Sequence, residues 1–133
     1  MTLKDGWALS LAEYELLLLS DKTVEAIERF YAADASMQEN HHPPRRGRDV
    51  LVAHERAALA RHRDVYTHPV DFFAIEGDRV AIHWRFDFTR LDGKRFSIDE
   101  FAYQRWDGDK VAEERFFYDP AQMQLQAPRR DST

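Results

Sequence analysis

The 133-residue chain contains no cysteine, which excludes disulfides, thiolate zinc sites and a cysteine nucleophile. It has no excess of basic charge. Its 19 Lys and Arg stand against 24 Asp and Glu, for a formal net charge of −5, so the basic patch of a nucleic-acid binder is not expected. It has no long hydrophobic run either. The longest, Leu16 to Leu19, falls far short of the roughly 20 apolar residues that cross a bilayer. The first residues lack the basic region, apolar run and small-residue cleavage site of a secretory signal. No phosphate-cradling glycine loop, nucleophile elbow, internal repeat or low-complexity segment occurs. These absences predict a soluble cytoplasmic protein with neither nucleic acid nor membrane as partner. Hydrophobic residues make up 44% of the chain, enough to bury a core and too many for disorder. One domain over residues 1–133 is expected, with 121–133 a polar tail.

The stretch Val80 to Pro120 organises the rest. Three runs of alternating residues are separated by Asp92-Gly93 and Asp107-Gly108. Asp-Gly between alternating apolar runs is a strong hairpin signal, because the tight turn needs positive φ and glycine supplies it. An antiparallel meander of long strands follows. In the first run Ile82, Trp84, Phe86 and Phe88 share one face, opposite Ala81, His83, Arg85 and Asp87. In the second, Phe101 and Tyr103 share a face with Asp99; in the third, Phe116 and Tyr118 share one with Glu114. If these sets line one concave face, two carboxyls sit among aromatic rings. That is costly unless they are paired or hold their protons.

Before the meander the pattern is helical. Ser10-Leu11-Ala12-Glu13 fits a capping box, and a helix to about Leu19 carries Leu11, Tyr14, Leu17 and Leu18 on one stripe, with Trp7 in a possible extension. Asp21 or Thr23 is placed to cap a second helix through Val24, Ile27, Phe30 and Tyr31. Ala35 to Asn40 reads as a short strand with Met37 and Glu39 on one face. Two prolines make His41 to Gly47 a loop. Arg48 to about His62 reads as a third helix with Val50, Leu51, His54, Ala58 and Leu59 inward. Tyr66 to Ile75 reads as a strand, irregular at Pro69. After Pro120 the polar tail, with Arg129-Arg130, is expected to fray. Helices first and long strands after give an α+β domain. Its curved antiparallel sheet, closed by three N-terminal helices, makes a cone-shaped barrel around an apolar pocket. A homodimer is expected on the prior that two-fold dimers are the commonest oligomers.

Several strings resemble the SnoaL-like branch of the nuclear transport factor 2-like superfamily: FYAADASMQEN, PPRRG and DGDKVAEERFFYDP. The resemblance runs from about Trp7 to Asp119. It implies the same cone fold, on a scaffold that carries isomerases, polyketide cyclases, dehydratases, epoxide hydrolases and non-catalytic binders. The chain is also similar to ketosteroid isomerase in its pattern of acids. That similarity puts the first-helix tyrosine at Tyr14, the carboxylate base at Glu39 and, through the string SIDEF, the neutral oxyanion-binding acid at Asp99. In that isomerase family an apolar site keeps the second carboxylic acid protonated at neutral pH, so that it can donate a hydrogen bond. The chain departs from the pattern in having Glu for Asp at the base, an added acid at Glu114, and bulky Trp84 and Phe116.

The chemistry implied is proton transfer beside a carbonyl, without cofactor. Glu39 would take the proton, and Tyr14 and neutral Asp99 would hold the oxyanion. Trp84, Phe86, Phe101, Tyr103, Phe116 and Tyr118 would form the ligand wall, with Glu114 and His54 facing a small apolar molecule. Each has a plainer reading. Tyr14 and His54 serve equally as satisfied core residues, and Asp99 and Glu114 as buried pairs in a filled cone. The pocket then belongs to a binding or assembly module. His41-His42 has no clear third ligand, so no metal site is expected.

Overall fold

The computed structural model describes residues 5–124. Three helices precede most of the sheet: α1 (Asp5–Leu19), α2 (Thr23–Phe30) and α3 (Arg48–Ala60). The strands are β1 (Tyr31–Glu39), β2 (Arg45–Arg46), β3 (His62–Thr67), β4 (Phe73–Glu76), β5 (Arg79–Arg90), β6 (Arg95–Asp107) and β7 (Lys110–Phe117). A 3-10 turn over Pro120–Gln124 follows. Arg129-Arg130 and most of the expected tail lie outside the described residues.

The helix boundaries correct the sequence reading in two places. α1 begins at Asp5, so the Ser10–Glu13 string is helix interior and not a capping box. Neither Asp21 nor Thr23 caps α2, whose N-cap is Lys22 with no side-chain bond. Asp21 instead takes φ 61° and closes α1, with Lys22 N–H bonded to the Leu17 carbonyl at 2.8 Å, the left-handed stop of a helix C-terminus. α2 also ends one residue early. Tyr31 has φ −100°, ψ 139° and opens β1.

The sheet order is β2-β1-β7-β6-β5-β3, with β4 on the remaining length of β5. The meander is as expected, and its turns fall at Asp92-Gly93 and Asp107-Gly108, with both glycines at positive φ. The sheet is mixed rather than antiparallel throughout, because β1 runs parallel to β7. The expected strand Tyr66 to Ile75 is two strands. Pro69 interrupts it, yet His68 N–H still reaches Arg85 (2.9 Å) and Phe72 accepts from His83 N–H (3.0 Å), so the segment stays along β5. The sheet curls around the helices as an α+β cone. Ala26, Ile27, Phe30, Leu51, Trp84, Ala102 and Val111 pack its closed part. On α3 the buried residues are Leu51 and Val52, while Val50, expected inside, is 50% exposed.

Facing within the meander is decided by register. Residues directly opposite on paired strands share a face. Trp84 stands opposite Glu100, Phe86 opposite Ile98 and Phe88 opposite Phe96, while Ala102 stands opposite Phe116 and Gln104 opposite Glu114. The inner set of β6 is therefore Phe96, Ile98, Glu100, Ala102, Gln104 and Trp106. This reverses the expected facing of Asp99, Phe101 and Tyr103, which lie on the outer face.

Candidate functional site

The cone encloses a cavity of about 710 Å³. Its wall is largely aromatic: Trp84 stacks on Phe86 (5.8 Å between centroids, 22°) and Phe88 on Phe96 (4.8 Å, 11°), with Phe116 opposite on β7. Of the residues singled out in sequence, Tyr14, Glu39, His54, Trp84, Phe86, Phe116 and Tyr118 line this cavity. Glu114 is buried behind its wall, 2% exposed. Asp99, Phe101 and Tyr103 are outside it. The Asp99 side chain is 55% exposed and pairs with His83 (2.9 Å) and Arg85 (3.4 Å). Phe101 stacks on His83, and Tyr103 accepts from Arg79.

The carboxyl that does face the cavity from β6 is Glu100, one residue along from the one selected by string similarity. Among the described residues no hydrogen bond reaches it. Burial raises its pKa first, and the negative charges of Glu114, Glu39 and Glu55 add to the rise, which reaches about 8. Glu100 thus carries its proton at neutral pH. Glu39 is held differently. It ends β1 beside Arg45, with 3.8 Å between Oε2 and the guanidinium, both side chains about a third exposed. Tyr118 lies next to it, and burial followed by the Glu39 charge pushes the Tyr118 hydroxyl up to about 12. On α3, Glu55 accepts from Thr23 at 3.3 Å, and its pKa is raised by burial against that bond. His54 is held below its ordinary value by burial and by Arg45.

A second polar cluster lies at and behind the wall, where Tyr14 and Tyr31 line the cavity. Tyr14, Tyr31, Glu114, Gln104 and Trp106 are all nearly inaccessible. Tyr31 donates to Glu114, and Gln104 donates to both Glu114 (2.6 Å) and Tyr14 (3.2 Å). Burial pushes Glu114 up to about 7, with the Tyr31 and Gln104 bonds opposing it. Sequence reasoning misses Tyr31 and Gln104. The helical pattern makes Tyr31 the end of a helix stripe, and Gln104 alternates with the aromatics expected to face inward. No group of three or more His, Asp or Glu arranged for a metal occurs among the described residues. None of their helices is long and apolar enough to cross a membrane.

The fold has many counterparts among solved structures. A Mesorhizobium loti protein, described as a candidate SnoaL-like polyketide cyclase, is 23% identical with a TM-score of 0.70, covering 84% of this chain and 97% of that one. A Burkholderia pseudomallei NTF2-like protein of unknown function is 14% identical with a TM-score of 0.79, covering 94% and 100%. A Catenulispora acidiphila protein with a ketosteroid isomerase-like fold, solved with trimethylamine, is 15% identical with a TM-score of 0.72, covering 85% and 87%. At these identities the likeness is one of fold. Among curated proteins none matches. Residues 13–114 match the family model of the SnoaL-like domain, and the chain belongs to that family.

Proposed function

We propose that the cone binds a small, largely apolar carbonyl compound and moves a proton on it without a cofactor, as an isomerase, cyclase or dehydratase does. Glu39 is the base and Glu100 the acid. The observation that carries this reading is Glu100: an unpartnered, inward-facing carboxyl whose pKa is about 8, set in an aromatic wall. Two carboxyls in one cavity with environments this different suit opposite roles. Glu39 pairs with Arg45 at the cavity and takes a proton from the carbon next to the carbonyl. As negative charge grows on the carbonyl oxygen, the Glu100 hydroxyl donates to it. The surrounding rings keep water out, which strengthens that bond. The Mesorhizobium loti counterpart, described as a candidate polyketide cyclase, is consistent with carbonyl chemistry on this scaffold.

The test is fluorescence binding of a planar phenol, a mimic of the oxyanion intermediate. Wild type is expected to bind it, and Glu100→Ala to bind at least tenfold more weakly, about the loss of one hydrogen bond in a dry site. Asp99→Ala, on the outer face, is expected to bind as wild type does. Equal binding by wild type and Glu100→Ala would remove the acid. Binding with no turnover of enolisable ketones would leave a binding protein.

A further inference from the structure

The reading above leaves a buried carboxyl unused. Glu114 is buried behind the cavity wall, and the chemistry of its neighbours fixes where the protons around it lie. An indole N–H can only donate. Trp106 donates to Gln104 Oε1 over 2.9 Å, so the Gln104 amide nitrogen is turned the other way. Its two protons go to Tyr14 and to Glu114 Oε2. Tyr31 donates to Glu114 Oε1. Tyr14 lies 3.2 Å from the Tyr31 oxygen, and because the Tyr31 proton is already committed, Tyr14 is the donor in that bond. One proton from Trp106, two from Gln104 and one from each tyrosine fill the five bonds. The set closes only if Glu114 is ionised.

One more proton opens it. Protonated Oε1 faces Tyr31 and donates to it, Tyr31 then donates to Tyr14, and the proton of Tyr14 is left with only its approach to the Glu114 carboxyl, the weakest of that group's hydrogen bonds, against an acceptor in the cavity. Tyr14 and Tyr31 are also the members of the cluster that line the cavity. The surplus donor therefore points at whatever the cavity holds.

We propose that Tyr14, Tyr31 and Glu114 form a proton relay that offers the cavity a hydrogen-bond donor only when Glu114 is protonated. The groups that face Glu114 are Tyr14 from α1, Tyr31 and Met37 from β1, and Gln104 from β6. The charges that act on or with it are Glu55 on α3 and Glu100 on β6. None of these is a cation, and the pKa of about 7 lets both forms exist in neutral solution. The proposal rests on the reading of the cone as a ligand site and narrows its ligand to one with an oxygen acceptor at the Tyr14 end. It also moves protons in balance. When that oxygen takes the Tyr14 proton, the Tyr31 proton passes to Tyr14 and the Glu114 proton to Tyr31. Each tyrosine oxygen loses one O–H bond as it gains another, and the net transfer is from Glu114 to the ligand. Glu114 acts through the tyrosines and is a positioning residue.

The test uses a naphthyl ketone, which has no titrating group, and the Glu100→Gln protein, so that Glu100 does not titrate either. Affinity is expected to fall about three- to tenfold as pH rises through the Glu114 transition, the worth of one neutral hydrogen bond. Adding Tyr31→Phe or Glu114→Gln is expected to abolish that step. A flat profile in Glu100→Gln overturns the relay. So does a step that survives Tyr31→Phe, since it would belong to His54 or Glu55. Infrared difference spectra of the ligand-free Glu100→Gln protein, in which Glu100 gives no titrating band, supply a readout that needs no ketone. The tyrosine C–O bands are expected to shift together with the protonated-carboxyl band. A carboxyl band that titrates while the tyrosine bands stay still overturns the relay. Coupled bands in a protein that binds no ketone at any pH support the relay and count against the carbonyl reading alone.

Discussion

Glu39 and Tyr118 show how one charge sets the chemistry of its neighbour. Burial and the Glu39 carboxylate together hold the Tyr118 hydroxyl near 12, so removing the charge must bring that value down while burial keeps it above its ordinary 10. Glu39→Gln is therefore expected to shift one tyrosine in an alkaline ultraviolet titration to lower pH. Tyr118→Phe identifies it by removing the same component. No change in Glu39→Gln would mean that Glu39 does not face the cavity as an anion, and the base would be lost with it. Glu39 is legible from the alignment of a short string, and Tyr118 from period-two alternation with Glu114. The carboxyl that faces the cavity from β6 is missed by one position. The string SIDEF draws attention to Asp99, and Phe101 and Tyr103 argue for its face as the inner one because buried aromatics are the commoner case. They are 48% and 42% exposed. A strand with aromatics on both sides cannot say which side is in, and a shift of one residue exchanges the whole set.

The information that decides β6 is present at the level of the hairpin. With Trp84, Phe86 and Phe88 inside, closing the Asp92-Gly93 turn brings Phe96, Ile98 and Glu100 opposite them, and Glu100 follows. Helix boundaries are harder, because they depend on backbone geometry that side-chain patterns only suggest. The α1–α2 corner turns on a left-handed Asp21, a conformation open to Asp as well as Gly, and the same letter serves equally for an N-cap. The entry to α3 is of the same kind but depends on glycine. Gly47 has φ 96°, its N–H bonds to the Ala35 carbonyl at 2.8 Å, and its own carbonyl accepts from Leu51 at 3.0 Å. A side chain there meets open space apart from Val50 at 3.9 Å, so the cost of Gly47→Ala is backbone strain and not a clash. We expect a loss of about 1–2 kcal/mol in urea unfolding. Because α3 carries His54 and Glu55 into the cavity, phenol affinity should fall as well. An unchanged midpoint would show that β2 and α3 can meet without this turn.

The whole molecule carries its acids at a cost that depends on pH. Glu100 and Glu114 ionise in the folded chain near 8 and 7, against an ordinary 4.5, which both residues approach when the chain unfolds. Between those values the folded state holds protons that the unfolded state has released, so stability falls as pH rises. The contribution of the two acids is complete below about 4.5 and is lost as pH climbs through 7 and then 8. His54, held below its ordinary 6.5, works in the opposite sense over a narrower window. Net, stability should fall between about pH 5 and pH 8.5 at roughly 1.4 kcal/mol per pH unit for each acid still changing its state, which at a few degrees per kcal/mol lowers the melting temperature by on the order of 20 °C. Glu100→Gln has no proton to lose and should flatten the upper part of that curve, gaining stability over wild type at pH 8.5 and little at pH 5. Glu114→Gln removes the charge as well but presents an amide to the Gln104 amide nitrogen, so its gain should be smaller. Calorimetric scans of the three proteins across this range decide the matter. If wild type melts at one temperature throughout, water reaches both carboxyls in the folded state. The cone is then wet, and Glu100 would not keep the proton that the proposed chemistry requires.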